Sequence, residues 1–242
     1  MPPRLFVDQP LRADDSFALP PGPARHVQVL RLQPGAALTL FNGEGGEWAA
    51  TVTQMGRSDV SVQLGAHADV NRELPLQVTL ALGMPANERM DAVVEKATEL
   101  GAAVIQPLMC ERSVLRLSGE RAQKKVAHWQ AVALSACEQS GRTRVLRVDE
   151  VRTLTQWLQA LPPPGDEVRW VLSLRDARAV ADVPVLTGRV LCLSGPEGGL
   201  SPAEEAAAAE AGFAPVSLGL RVLRADTAPL ALLAYLGLRA TS

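Results

Sequence analysis

The rhythm of apolar and polar positions changes near residue 72. Before it, short apolar stretches are separated by turn residues. Leu38–Phe41 reads as a strand, and Asn42-Gly43 after it is a hairpin signal. Glu47–Val52 and Val60–Leu64 follow at strand spacing, with Met55-Gly56-Arg57-Ser58 between them. This pattern predicts a small β-barrel over residues 1–72. Gly65 to Pro75 is polar and aperiodic and is expected to form the linker.

From Leu76 onward strand and helix signals alternate. Leu76–Met84 is an almost unbroken apolar run, as in a strand buried on both faces. Asn87 is placed to cap a helix whose Met90, Val93, Val94, Ala97 and Leu100 share one face, with Gly101 as its stop. Ala103–Leu108 predicts a strand, and Ser118–Ser140 a long helix ending at Gly141. Val168–Leu174, Arg189–Ser194 and Ala214–Leu218 predict further strands. Ser201-Pro202-Ala203-Glu204 is a capping box with proline in the first turn, and Gly212 closes that helix. Asp226 or Thr227 can cap a last helix. Leu161–Asp166 reads as a stiff surface loop. Alternation of this kind predicts an α/β domain with a mostly parallel sheet over residues 73–242.

Composition narrows the class. The 242 residues are 47% hydrophobic and 21% charged, as in ordinary globular chains. The longest apolar run, Ala228 to Leu238, falls short of the roughly 18 residues needed to cross a bilayer. No secretory leader is apparent, and three scattered cysteines (Cys110, Cys137, Cys192) fit neither a metal site nor a disulfide framework. A cytoplasmic protein without metal or membrane attachment is expected. The net charge of −2 speaks against a nucleic-acid partner only until its distribution is read. Residues 111–152 hold nine basic against five acidic side chains, a surplus of +4 that leaves −6 for the remainder. Of 24 basic residues all but Lys96, Lys124 and Lys125 are arginine, whose planar fork suits phosphates and base edges.

Three loops carry candidate chemistry, because ligands of open α/β sheets bind at the carboxyl ends of strands. Ser194–Leu200 joins a strand to a capped helix. Its glycines allow close backbone approach, but it matches neither a P-loop nor the dinucleotide fingerprint. Leu218–Thr227 places Arg221 and Arg224 three apart, ahead of Asp226 and Thr227. Cys137–Arg144 turns from a helix end into a basic loop, which alone would pass for a solvated helix terminus.

Together these segments resemble the RsmE-type family of 16S ribosomal RNA uridine-N3 methyltransferases, in the SPOUT superfamily. The likeness rests on Arg25–Leu32 with Gly35 and Phe41-Asn42-Gly43; on Lys96–Gly101, Pro107 and Glu111-Arg112-Ser113; and on Cys137–Arg142, Gly195–Gly199 and Leu218–Arg224. Leu220 stands where the family usually has proline, Asp226 where it usually has glutamate, and Pro229 falls in the following helix.

The resemblance implies a PUA-like RNA-binding barrel ahead of a SPOUT domain with a trefoil knot near its C-terminal end. It implies S-adenosylmethionine as methyl donor, cradled by Leu172, Ser173 and Leu174, by Gly195, Pro196, Glu197, Gly198 and Gly199, and by Leu218, Gly219, Val222 and Leu223. It implies 16S ribosomal RNA of the small subunit as substrate, and a homodimer. The apolar C-terminal helix (Leu230, Leu232, Leu233, Tyr235, Leu236) is a candidate interface element, unless it packs within one subunit. Uridine N3 is a poor nucleophile until its proton leaves. Arg142 and Arg224 are candidates for stabilising the resulting charge, and Glu138, Glu197 or Asp226 for base or orienter. Arg4, Arg25, Arg31, Arg112 and Arg144 are expected to meet RNA. The rival readings are a non-catalytic RNA-binding or ribosome-assembly protein on the same scaffold and a ribose 2′-O-methyltransferase. A nucleotide-dependent oxidoreductase lacks its fingerprint here.

Overall fold

The computed structural model describes residues 2–57, 59–183 and 188–240. It divides into two units. The first takes in residues 1–73 and, from the second half of the chain, Cys137–Val145; the second holds Leu74–Ala136 and 146–242.

In the first unit, β1 (Arg4–Phe6), β2 (Ser16–Ala18), β3 (Ala37–Phe41), β4 (Glu47–Met55) and β5 (Val60–Ala68) form a five-stranded sheet in the order β1-β3-β4-β5-β2. Period-2 alternation explains the burial: Val60, Val62 and Leu64 turn inward, as do Leu38 and Leu40. The Asn42-Gly43 turn closes through Asn42 Oδ1, which accepts the Glu44 N–H, while Gly43, Gly45 and Gly46 take positive φ. The expected linker begins later than Gly65. The strand β5 continues to Ala68 because Trp48 and Glu47 pair with His67 and Ala68, past a register shift in β4, and the Trp48 and His67 rings stack at 4.6 Å. A helix absent from the sequence reading, α1 (Pro21–Val29), buries only Ala24 and Val27, too few positions to register as a period.

In the second unit, β6 (Leu76–Gly83), β7 (Val104–Met109), β8 (Arg147–Val148), β9 (Arg152–Thr153), β10 (Val168–Leu172), β11 (Arg178–Ala179), β12 (Gly188–Ser194) and β13 (Ala214–Ser217) form one sheet. Its order is β11-β13-β10-β12-β6-β7-β8, with β9 also on β7, and every pairing is parallel. The helices are α2 (Asn87–Glu99), α3 (Gly119–Ser140), α4 (Leu154–Ala160), α5 (Pro202–Glu210) and α6 (Thr227–Ala240). On α2, Met90, Val93, Val94 and Ala97 are buried as a single stripe. Helix α4 was not anticipated, although Thr153 and Gln156 form a reciprocal capping box there.

Two expectations change. Ala86, not Asn87, occupies the cap position of α2, and its own side chain makes no capping bond. On α6, Leu232, Leu233 and Leu236 lie in the core, Leu230 and Tyr235 pack against it, and the Tyr235 hydroxyl donates to Val180 O, so these residues serve their own unit. Among the described residues no helix is long and apolar enough to cross a membrane.

Candidate active site

The carboxyl ends of β10, β12 and β13 open into a cleft of about 760 Å³, within the range of small-molecule sites. The loops after β10, β12 and β13 line it. Every residue expected to hold a cofactor lies on its wall except Gly219, and Arg224 lines it as well. The walls are tight where backbone meets backbone. A Cβ on Gly83 would stand 2.5 Å from the nitrogen of Pro196, and one on Gly195 3.0 Å from the nitrogen of Leu200. Gly199 and Gly219 adopt φ of +69° and +107°, open to glycine without strain.

Side chains far apart in sequence hold the 195–200 loop. Glu197 Oε1 accepts the Ala86 N–H at 3.1 Å, satisfying from another loop one of the donors left open at the start of α2. Arg112 donates from Nη1 to the carbonyls of Gly198 at 3.1 Å and Leu200 at 3.2 Å. Its head therefore braces the cleft while the residue, expected to meet RNA, stays exposed. Ser201 and Glu204 complete their capping box, and Glu204 also accepts the Glu111 N–H at 2.8 Å.

Arg89, in the first turn of α2, is a site residue that sequence reasoning missed, having read that helix only for its apolar face. Its guanidinium lies 3.8 Å from Glu197 and 4.0 Å from Asp226, so one cation faces an acid from each of two cleft loops. On the third loop, the Arg224 carbonyl accepts the N–H groups of Thr227 and Ala228 and starts α6, while its side chain stays exposed on the cleft wall. Arg221 is exposed beside it, flanked by Leu220 and Val222, which are also largely exposed.

The remaining predicted residues lie in the first unit. Arg142 is 4% exposed. Its Nε and Nη2 both donate to Glu73 Oε2, at 2.9 and 2.5 Å, while Glu73 Oε1 accepts the N–H groups of Thr143 and Arg144. Glu138 accepts the Phe6 N–H at 3.0 Å and stands 3.8 Å from His26. Burial pushes its carboxyl above the usual range, against the opposing pull of the Phe6 N–H, His26 and Arg4. Arg4 is turned inward: it donates to Arg142 O at 3.0 Å, lies 4.9 Å from the Phe41 ring centroid, and has its pKa lowered chiefly by burial. Arg25, Arg31 and Arg144 are exposed, with Arg31 in the left-handed region at φ 54°. The basic segment is thus divided, with Arg142 and Arg144 in one unit and the rest in the other.

The chain matches the model of the RNA methyltransferase domain over residues 72–237 and that of the RNA methyltransferase PUA domain over residues 24–65. It is 30% identical to ribosomal RNA small subunit methyltransferase E of Bacillus subtilis, over 94% of this chain and 93% of that one. It is 34% identical to the Synechocystis protein of the same name, over 86% and 68%. A crystal structure of ribosomal RNA small subunit methyltransferase E from Neisseria gonorrhoeae, bound to S-adenosyl methionine, superposes with a TM-score of 0.92 at 36% identity, covering 97% of this chain and 96% of that one. The tight backbone-walled cleft, the all-parallel sheet that builds it and these matches along both units make the chain a member of the RNA methyltransferase family that includes the ribosomal RNA small subunit methyltransferase E proteins.

Proposed function

We propose that the protein transfers a methyl group from S-adenosylmethionine to N3 of a uridine in 16S ribosomal RNA. The cleft of the second unit carries this reading: its volume, its glycine walls and its exposed arginine suit a cofactor held by backbone groups beside an anionic polymer. Leu172–Leu174, Gly195–Gly199, Leu218, Gly219, Val222 and Leu223 would hold the donor. When bound it supplies an electrophilic methyl carbon.

The chain's own residues then divide the work. The N3 proton would pass to water at the open cleft, and Arg224, exposed on the wall, would stabilise the resulting uridine anion. The methyl–sulfur bond would break as the methyl–N3 bond forms, with a neutral thioether as the leaving group. Glu197 and Asp226, each facing Arg89, orient the loops that meet the substrate. Arg142 and Glu138 shape the 141–144 loop and its neighbours, since Glu73 and the Phe6 N–H engage them. Arg25, Arg31 and Arg144 offer charge to the phosphate backbone. The target base must be unpaired or flipped out, because pairing covers N3.

The reading includes a trefoil threading of the C-terminal segment and a homodimer, acting in the cytoplasm on the small ribosomal subunit. The threading is supported by the path of the chain: it leaves β12, crosses beyond β10 to β13, and returns as α6 to pack on β12 and β6.

The decisive test is methylation of small ribosomal subunits followed by reverse transcription. A new polymerase stop at a uridine, dependent on S-adenosylmethionine and lost in Arg224→Ala, is expected, because N3-methylation blocks the pairing edge. Readthrough with a ribose 2′-O-methyl mark would refute the N3 assignment. The donor should also raise the melting temperature, since a ligand of the native state stabilises it.

A further inference from the structure

Two arginines at the cleft mouth are not engaged by the fold. Five arginines line the cleft. Arg112 is tied to the carbonyls of Gly198 and Leu200, Arg89 faces Glu197 and Asp226, and Arg224 is assigned above to the reacting base. Arg175 and Arg221 remain. The Arg175 side chain is 79% exposed and pairs, among the described residues, with Glu205 at 3.9 Å, a separation at which an exposed pair contributes little. Arg221 is exposed too.

The backbone presents both side chains outward. Ser173 Oγ accepts the Arg175 N–H at 3.0 Å, and Asp176 takes φ 47°, so the loop after β10 folds back on itself with Arg175 at its tip. After β13, Gly219 at φ +107° turns the chain out, leaving Leu220 and Val222, at 101% and 83% exposure, on either side of Arg221. Strands β10 and β13 are hydrogen-bonded neighbours, so the two loops spring from adjacent strand ends on the same rim.

We propose that Arg175 and Arg221 form a phosphate-binding rim that grips the RNA backbone next to the target nucleotide, with Leu220 packing against its sugars and bases. The proposal rests on the RNA-methylating reading above and names the part of the substrate this rim takes. A polyanion fits better than the cofactor's single carboxylate, because two guanidinium groups sit on separate loops at the mouth of the cleft.

The test uses the full chain and its Arg175→Gln/Arg221→Gln variant, with a single-stranded RNA oligonucleotide centred on a uridine. Each phosphate contact on a single strand contributes about 0.7 to the slope of log affinity against log salt. Losing two should lower that slope by about 1.4 and weaken binding about 25-fold at 0.1 M salt, with the difference vanishing towards 1 M. Donor affinity, by calorimetry without RNA, should stay within about twofold, and the sedimentation coefficient should be unchanged. An unaltered salt slope overturns the proposal. So does a parallel loss of donor affinity, which would assign the arginines to the cofactor, or a fall in oligomeric state, which would make the rim a contact with a second copy. Wild-type protein that binds RNA with the expected slope yet never methylates it would sink the enzymatic reading while leaving the rim in place.

Discussion

Removing Glu73 should loosen the first unit more than any other single surface-proximal change. Its carboxylate accepts four N–H groups, two from Arg142 and two from the backbone of Thr143 and Arg144. The side chains are 13% and 5% exposed, so solvent screens the pair little. Taking away one partner of such a buried pair typically costs about 3–5 kcal/mol, because the other charge stays buried and uncompensated. Glu73→Ala should fall in that range, since it removes at once the acceptor of two Arg142 donors and of two backbone amides. Arg142→Ala should cost less, about 3 kcal/mol, because Glu73 keeps its two backbone donors. Both single variants lose the same Glu73–Arg142 contact, so in the double variant the losses should not add, and a coupling of about 2 kcal/mol is expected. Native-state hydrogen exchange on peptides from 37–68 reads the opening free energy of this unit separately from the other. Single losses below about 1 kcal/mol, or strict additivity in the double variant, would refute the reasoning.

Three further outcomes follow from the site and core. Glu138 has a folded pKa raised by burial, so between its unfolded and folded values the folded state binds more protons and stability must fall as pH rises; Glu138→Gln should flatten that slope in melts between pH 4 and 8, and an unchanged slope would exclude the group. Burial pushes the thiols of Cys110 and Cys192 up to about 12, so neither should react with a thiol reagent at pH 8 until denaturant is added, as mass spectrometry of labelled peptides would show. Glu197→Ala removes the acceptor of the Ala86 N–H at the start of α2 and one partner of Arg89, and should lower stability by about 1 kcal/mol while weakening donor binding. A loss of stability with unchanged donor affinity would restrict Glu197 to holding the start of α2.

Local rules made much of the second unit legible. The unbroken apolar run of β6, the 3.6-residue stripe on α2 and the Ser201–Glu204 box each depend on neighbours within a few residues, and each is observed. What escaped were contacts between distant positions. Arg112 meets Gly198 and Leu200 across more than 80 residues, and Ala86 meets Glu197 across 111. No periodicity encodes such a pairing. The same blindness placed Arg4 among residues facing RNA, because its partners, Arg142 O and Glu47, are brought to it only by folding. Helix α1 escaped for a different reason: nine residues with two buried positions carry too little pattern to announce a helix.

Four glutamates turned onto backbone amides explain why the chain can carry a negative net charge and still present arginines to a polyanion. Glu73, Glu138, Glu197 and Glu204 each accept backbone N–H groups of loop or terminal residues: Thr143 and Arg144, Phe6, Ala86, and Glu111 with Ser201. A carboxylate suits this task, because charge-assisted bonds to amides are stronger than neutral ones and one group can hold two loops at once. Negative charge is thereby directed into the architecture, where a loop must be fixed. Arg25, Arg31, Arg144, Arg175 and Arg221 remain exposed. The field met by an approaching RNA is then set by which charges face out rather than by the sum of −2. Exchanging one inward glutamate for glutamine would therefore alter stability far more than RNA affinity, whereas exchanging one outward arginine would do the reverse.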